Sequence, residues 1–548
     1  MRSFFVNHRF PVFAIAVIAA VSLVIYAQSL QNGFVIWDDD SLVYENPLVQ
    51  ELSLRTLKGI FTSYDPELYI PFTLLSFQVE HALFGFAPFF YHLTNLLLHI
   101  VAGGLVFLFL RQLRISAWIA FGCALLFAVH PINTEAVAWV SARKDLLASV
   151  FSLGALVLYQ RYLLQRRMIF FYGTLLLFLL ALLSKASAIM LPAMFLLLDW
   201  FERRKDRCVL TEKIPFFLLS AVFLGIALAG KARNIESLTL IETLLLAAKS
   251  AAFSVKMFLF PAGISVIYQQ SGPITIADSS FFVSLMTVLT LGVFIALSLR
   301  RTRTIAFSFL FFLLAFAPSF ANFSKADAVY YFSDRYIYLA QIGLLFLLGQ
   351  AIDHTLRRRG QVMRASVSTA FAVVIIIFGW TAHARSLVWA ESVKLFTDAL
   401  SANVQSAVMR GNLGLLYHRR GQAEAAEREY LQALEIDPRH WRTLTNLGFL
   451  YQEQGKRDAA RELYGRALEA NPRSEEAHVN VGTLLLDDGK ADEAIAHFRS
   501  AIGINPSFAP AYANLASAYA KKQMYKEALD ASLRALELDP SRKGELQE

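Results

Sequence analysis

Long apolar runs alternate with short polar breaks as far as about residue 385, and then the pattern changes. The runs near 10–30, 89–110, 116–130, 146–163, 168–184, 186–200, 214–230, 281–299, 304–321, 334–351 and 366–384 read as membrane-crossing helices, for which about 20 residues span roughly 30 Å of hydrocarbon. The stretch 241–260 is different: it is amphipathic and carries Lys249 and Lys256. As a span it would put an arginine cluster on the wrong side, so it is expected to lie along the outer membrane face. From about residue 390 the chain is polar, alanine-rich and helix-favouring.

That last part repeats itself. "NLG" at Asn412, "NLG" at Asn446, "NVG" at Asn480 and "NLA" at Asn514 recur every 34 residues, as do Asp437, Asn471, Asn505 and Asp539 before proline. In the second repeat Leu447, Gly448, Tyr451, Ala460, Tyr464, Ala467 and Pro472 stand at the offsets of a tetratricopeptide unit. Four repeats fit residues 407–542, followed by a tail at 543–548 and preceded by a linker or capping helix at 386–406. The fourth has Ser532 where the others have an aromatic ring. Stacked helix pairs make a solenoid whose concave face takes peptides or protein surfaces. Asn412, Asn446, Asn480 and Asn514 are the candidate peptide-binding residues, with bonding between neighbouring repeats as the competing use.

Composition and charge sharpen this picture. Of 548 residues, 17% are charged, against about 25% in a soluble protein. The formal net charge of +8 does not point to nucleic acid, because much of the basic excess sits in short loops between apolar runs. Those clusters, Arg2/Arg9, Arg111/Arg114, Arg161/Arg166/Arg167, Arg203/Arg204/Lys205/Arg207, Arg300/Arg301/Arg303 and Arg357/Arg358/Arg359/Arg364, mark cytoplasmic loops. Segment 31–87, with eight acidic residues against Arg55 and Lys58, should face outside, on the same side as the repeats. The first apolar run is longer than a signal-peptide core and no clear cleavage site follows it, so it is expected to stay as a span. Cys123 and Cys208 make no disulfide framework.

Candidate chemistry clusters at the outer ends of these helices. Asp38, Asp39 and Asp40 follow the first span in "FVIWDDDSLVYENPLV". Asp40 reads as a helix cap. Asp38 and Asp39, beside Phe34, Val35, Ile36 and Trp37, sit in a partly apolar setting, where a carboxylate can act as general base or hold a metal. His130, Glu135, Arg143, Lys144 and Asp145 follow the third span, Lys185 the fifth, and Asp334 with Arg335 precede the tenth. Acids with Arg and Lys at one membrane face suit an anionic, lipid-linked substrate, the cations neutralising phosphate and a carboxylate activating a hydroxyl.

The stretches "FVIWDDDSLVYENPLV", "ALFGFAPFFYHLTNLLLH", "LFAVHPINTEAVAWVSARKDLLAS", "LSKASAIMLPAMFLLLDW", "FPAGISVIY" and "SDRYIYLAQIGLL", in this order and followed by the repeats, resemble the transmembrane-and-tetratricopeptide-repeat protein O-mannosyltransferases and their bacterial relatives, within the GT-C glycosyltransferases. The resemblance implies an all-α protein: a GT-C-type membrane domain of about eleven spans over 1–385, then the repeat solenoid. It implies an enzyme that moves a sugar, with inversion, from a polyprenyl-phosphate carrier to an acceptor hydroxyl. Asp38 and Asp39 match the acidic pair, one as general base and the other orienting the acceptor or, in some such enzymes, a divalent metal. Glu135 joins them as a catalytic candidate. Trp37, Asn46, His130 and Asp334 match as site-lining positions. Arg143, Lys144, Lys185 and Arg335 are the candidate cations for the donor phosphate. Ile70 and Ala186 depart from the pattern, standing where relatives carry arginine and often glutamate.

No His/Cys ligand spacing is present in the sequence, so a metal, where used, is oxygen-bound, and metal independence is expected. The expected donor is a polyprenyl-phosphate sugar carrying mannose. The expected acceptor is a protein or peptide brought by the repeats, in a bacterial inner membrane with the N-terminus cytoplasmic and the repeats periplasmic. The competing functions are a GT-C transferase acting on a glycan or lipid, and a non-catalytic repeat scaffold for envelope complexes. A transporter is disfavoured, since no paired Gly/Pro-broken half-helices occupy matching positions of two halves.

Overall fold

The computed structural model describes residues 9–64, 68–206, 209–231, 238–270, 272–325, 328–357, 361–401 and 405–539. Arg2, Arg207, Cys208, Arg358, Arg359 and the tail 543–548 lie outside the described residues. The chain forms two compact units, Met1–Asp398 and Ala399–Glu548, their boundary falling inside the 386–406 linker.

The first unit is a bundle of apolar helices. Among the described residues eight are long and apolar enough to cross a membrane: Arg9–Gln31, Pro88–Gln112, Val140–Gln165, Thr211–Gly230, Ser279–Ser298, Thr304–Asn322, Asp334–Leu356 and Gln361–Ala390. A ninth segment, Ala117–Val129 with Pro131–Ala138, is bent by 51°, and Met168–Ser184 and Ala186–Phe201 are shorter apolar helices. Together they coincide with the expected apolar segments. The bend has a local cause: Pro131 lacks an N–H, and its ring cannot follow an α-turn, so the helix stops at Val129 and restarts as a 3₁₀ turn. The restart carries Glu135 inward.

Close helix approach rests on small residues, as expected where lipid supplies no hydrophobic drive between helices. A Cβ at Gly343 would lie 2.3 Å from the Ser308 carbonyl oxygen, so only glycine lets Ile337–Arg357 pack on Thr304–Phe316. The amphipathic helix Leu240–Leu259, opened by a Thr239/Glu242 capping box, is not among the candidate spans. Its Lys249 donates to Gln270 Oε1 at 2.7 Å and lies 4.7 Å above the Phe281 and Tyr331 rings.

A small antiparallel sheet was not foreseen from the sequence. Ala328–Phe332 is its middle strand, with Tyr268–Gln269 on one side and Ser324–Lys325 on the other. Two-residue edge strands leave no alternation to read.

The second unit contains four helix pairs: Ala407–Arg419 with Ala423–Ile436, Trp441–Glu453 with Arg457–Ala470, Glu475–Asp487 with Ala491–Ile504, and Ala509–Lys521 with Tyr525–Leu538. The turn within each pair needs a left-handed residue. Gly421, Gly455 and Gly489 supply it with φ of +73°, +75° and +79°, and Gln523 takes the same place at +60°. Leu447, Ala460, Tyr464 and Ala467 are buried, as packing positions should be.

Candidate active site

The chain leaves the first helix and turns sharply at Asp38, whose φ of +125° is one that L side chains rarely adopt. The turn sends the two adjacent carboxylates in different directions. Asp39 is fully buried. Its Oδ2 accepts the Val35 N–H at 3.0 Å, and its Oδ1 accepts the Ser141 N–H at 2.9 Å and the Ser141 hydroxyl at 2.6 Å. Burial outweighs these three donors and pushes the Asp39 carboxyl up to about 6. Asp38 is 36% exposed, with Oδ2 3.7 Å from Lys144 Nζ. One aspartate is used to hold the loop; its neighbour is presented.

Asp40 does not cap a helix. It opens a short π-helical turn, Asp40–Tyr44. The cap of Pro47–Gln50 is Asn46, whose Oδ1 accepts the Leu48 N–H at 2.9 Å while its amide donates to the Ser41 carbonyl at 3.1 Å.

The bent segment brings in the rest. Glu135 accepts the Arg335 N–H at 3.1 Å, the Ser333 hydroxyl at 3.1 Å, and a guanidinium N–H of Arg335. Trp139, fully buried, forms a floor with Lys144 Nζ and the Arg335 guanidinium each 5.0 Å from the ring. Arg335 Nε lies 4.0 Å from Asp145 Oδ2, and Asp145 Oδ1 accepts from Lys185 Nζ at 2.5 Å. Lys144 Nζ, Asp145 Oδ2 and Arg335 Nε are buried and find no hydrogen-bond partner among the described residues. A continuous line of charge therefore runs from Asp38 through Lys144 and Arg335 to Asp145 and Lys185.

Beside it opens a cleft of about 610 Å³, counting the open solvent at its mouth, lined by Asp145, Lys185, Arg335 and Tyr336 together with Ser149, Ser152, Met190, Leu191, Met194, Phe316 and Leu339. Asp145 stands at the start of the helix Arg143–Gln165 and Ser152 two turns further along it, so the cleft runs about 10 Å down the helix from its charged rim.

Several expected site residues are held by partners away from the charged line. Arg143, expected to meet phosphate, is fully buried. Its guanidinium donates to Glu80 Oε2 at 2.5 Å, Asn95 Oδ1 at 3.0 Å and the Tyr91 carbonyl at 2.8 Å, leaving no face toward the cleft. His130, expected to line the site, is buried between Phe258 and Phe378, with Nε2 3.0 Å from the Phe258 carbonyl. Asp334 is buried and accepts the Tyr268 hydroxyl at 2.9 Å; burial and that carboxylate raise the Tyr268 hydroxyl well above the usual tyrosine range. Trp37 is half-buried, edge-on to Phe396. Asn412, Asn446 and Asn480 are half-buried on the first helices of their repeats, and Asn514 donates to the Pro510 carbonyl of its own helix at 3.0 Å.

Ser141, Trp139, Tyr336 and Glu80 were not anticipated. Glu80 alone left a trace, as a lone acid inside the apolar "TLLSFQVEHALF". Three donors already converge on the Asp39 oxygens, which leaves that carboxylate one free lone-pair site. Among the described residues no group of three or more His, Cys, Asp or Glu converges as a ligand set.

Comparison with known proteins agrees with this organisation. Three tetratricopeptide-repeat family models match residues 405–473, 445–509 and 485–547. A Caenorhabditis elegans protein O-mannosyl-transferase is 25% identical over 448 residues, 77% of this chain and 62% of that protein. The human protein O-mannosyl-transferase TMTC1 is 27% identical over 500 residues, 78% of this chain and 56% of the human one. Drosophila melanogaster Tmtc1 is 35% identical over 178 residues, 31% and 21% of the two chains. The chain thus spans less than two thirds of the length of these relatives. Among solved structures, the crystal structure of MamA aligns at 23% identity over 27% of this chain and 88% of that one, with a TM-score of 0.24. The chain is similar in sequence to the TMTC-type protein O-mannosyl-transferases, and is built as a unit of apolar helices long enough to cross a membrane followed by tetratricopeptide repeats.

Proposed function

We propose that this protein is an integral-membrane, GT-C-type glycosyltransferase that moves mannose from a polyprenyl-phosphate carrier to a hydroxyl of a protein acceptor. The observation that carries this is the charged line ending at the cleft. Lys185 and Arg335 stand at the rim of a space whose deeper wall is Met190, Leu191, Met194, Phe316 and Leu339, which suits a phosphate joined to a hydrocarbon tail. At the other end stands Asp38, the presented carboxylate.

Asp38 takes the proton from the acceptor hydroxyl as its oxygen attacks the sugar C1. The C1–O bond to phosphate breaks, its electron pair leaving with the phosphate, and attack from the opposite face inverts C1. Lys185 and Arg335 neutralise the charge that grows on the leaving phosphate. Lys144, between Asp38 and the Trp139 floor, orients Asp38. Glu135 acts by fixing the Arg335 fork. The arginine clusters at the far ends of these helices support a site on the non-cytoplasmic face, of a bacterial inner membrane on our reading, with the repeats collecting the acceptor.

Glycopeptide mass spectrometry of cells lacking this protein tests the proposal. Rescue with wild type should restore hexose-bearing peptides, and rescue with Asp38→Asn at equal membrane abundance should not. Equal restoration by Asp38→Asn, or none by wild type, would overturn it.

A further inference from the structure

The loop that presents Asp38 is held from a part of the chain remote in sequence. The last long helix, Gln361–Ser386, runs into a 3₁₀ turn, Leu387–Ala390, and then into Ser392–Ser401. This stretch touches the acidic loop at successive points. Asn32 Nδ2 donates to the Ser386 carbonyl at 3.2 Å, the Gly33 N–H to the Ala390 carbonyl at 3.1 Å, and the Ile36 N–H to Ser392 Oγ at 2.8 Å. Phe396, fully buried, meets Trp37 edge-on with ring centroids 6.0 Å apart. Trp389, 2% exposed, stacks at 5.7 Å and 21° on Trp139, the ring under Lys144 and Arg335.

These contacts exceed what tethering a linker requires. Asp38 has a backbone conformation that persists only when its surroundings over-determine it. On one side the restraint is Asp39 with Ser141. On the other, the bonds from 386–396 to Asn32, Gly33 and Ile36 join those within the loop, with His92 against the Gly33 carbonyl and Tyr91 edge-on to Phe34 as contacts from a third element. The same stretch backs the aromatic floor, so it supports both halves of the site from behind: the loop that carries Asp38 and the ring under Lys144 and Arg335.

We propose that residues 386–396 are a positioning strut of the transferase site, in which Ser392 fixes the backbone ahead of Asp38 and Trp389 fixes Trp139. Neither side chain reaches substrate; Ser392 acts through the loop on Asp38, and Trp389 through Trp139 on Lys144 and Arg335. The role in transfer rests on the transferase reading above, whereas the hold on the loop does not.

The test uses the full chain in detergent or vesicles, with Ser392→Ala, Trp389→Ala and Trp389→Phe. Hydrogen–deuterium exchange of 34–45 should quicken about tenfold in both alanine variants, with Met168–Ser184 unchanged. With a polyprenyl-phosphate mannose and an acceptor peptide, kcat per folded molecule should fall roughly 10- to 100-fold while the donor KM stays within about twofold. Trp389→Phe should recover most of kcat, because a flat ring can still stack on Trp139. Unchanged exchange at 34–45, or Trp389→Phe as poor as Trp389→Ala, would overturn the strut. A wild type inert toward the donor would sink the transferase assignment instead, and the exchange rates would still decide the strut.

Discussion

Ser141 donates both its backbone N–H and its hydroxyl to the same oxygen of Asp39, at 2.9 and 2.6 Å, across 102 residues of sequence. That relationship divides the acidic pair, one carboxylate locking the outer loop to the bent segment and its neighbour partly exposed beside Lys144. Asparagine at 39 would offer one acceptor where three donors converge, and its amide would face an N–H. Asp39→Asn should cost on the order of 1–3 kcal/mol, seen as lower thermal stability and lower membrane yield. Asp38→Asn should leave the melting temperature within about 2 °C and abolish transfer.

The buried Asp39 carboxyl also sets a pH dependence. Its pKa of about 6 in the fold lies above the ordinary carboxylate value of about 3.9, so the folded state binds the proton more tightly than the unfolded one. Its contribution to stability is therefore full below about pH 4, falls away between about pH 4 and 6, and is flat above. Holding it charged at pH 7 costs on the order of 3 kcal/mol. The stability difference between wild type and Asp39→Asn should shrink in that window as the pH rises; a difference independent of pH from 4 to 7 would contradict the assignment.

Arg143 and Lys185 should fail in different ways. Arg143→Ala leaves Glu80 buried and unpaired, a loss of about 3–5 kcal/mol, and the protein should not accumulate. Lys185→Ala sits at the cleft rim, so a folded protein with a donor KM raised at least about tenfold is expected. Titrating donor against the purified variants separates the two.

A second buried ion network lies further down the helix Arg143–Gln165, where Tyr159 stands about 21 Å from Asp145 by helix rise. Tyr159 donates to Asp199 at 2.8 Å, and Lys213, fully buried, reaches Asp199 Oδ2 at 2.8 Å and the Val209 carbonyl at 3.2 Å. Asp199→Asn should therefore lower the unfolding temperature through an uncompensated lysine, with kcat per folded molecule unchanged. A selective loss of kcat would show that this cluster is not merely structural.

The fourth repeat makes the sharpest packing prediction. In the first three, a glycine faces a ring: an added Cβ would lie 2.6 Å from Tyr430 at Gly414, from Tyr464 at Gly448 and from Phe498 at Gly482. The fourth has Ala516 and Ser532 at these two positions, so the larger small residue and the missing ring arrive together. Ser532→Tyr alone should destabilise the array, and adding Ala516→Gly should recover it. A double-mutant cycle should give a coupling of at least about 1 kcal/mol; additive effects would refute the pairing.

The sequence by itself determined what depends on local periodicity. Apolar length marks the membrane helices whatever they later touch, and the 34-residue repeat marks the helix pairs, because each is stabilised mainly by its neighbours in the chain. It also pointed to stretches whose Asp38, Glu135, Lys144, Lys185 and Arg335 come together in space. The tertiary structure alone decided their division of labour. Asp38 and Asp39 are equal as letters and become different through the turn at Asp38 and Ser141, 102 positions away. Arg143 and Arg335 are both arginines at helix starts, yet Glu80 draws one into the core while Glu135 holds the other over Trp139 at the cleft. The cost of burying a charge depends on the partners that arrive from elsewhere in the chain, and no local pattern encodes them.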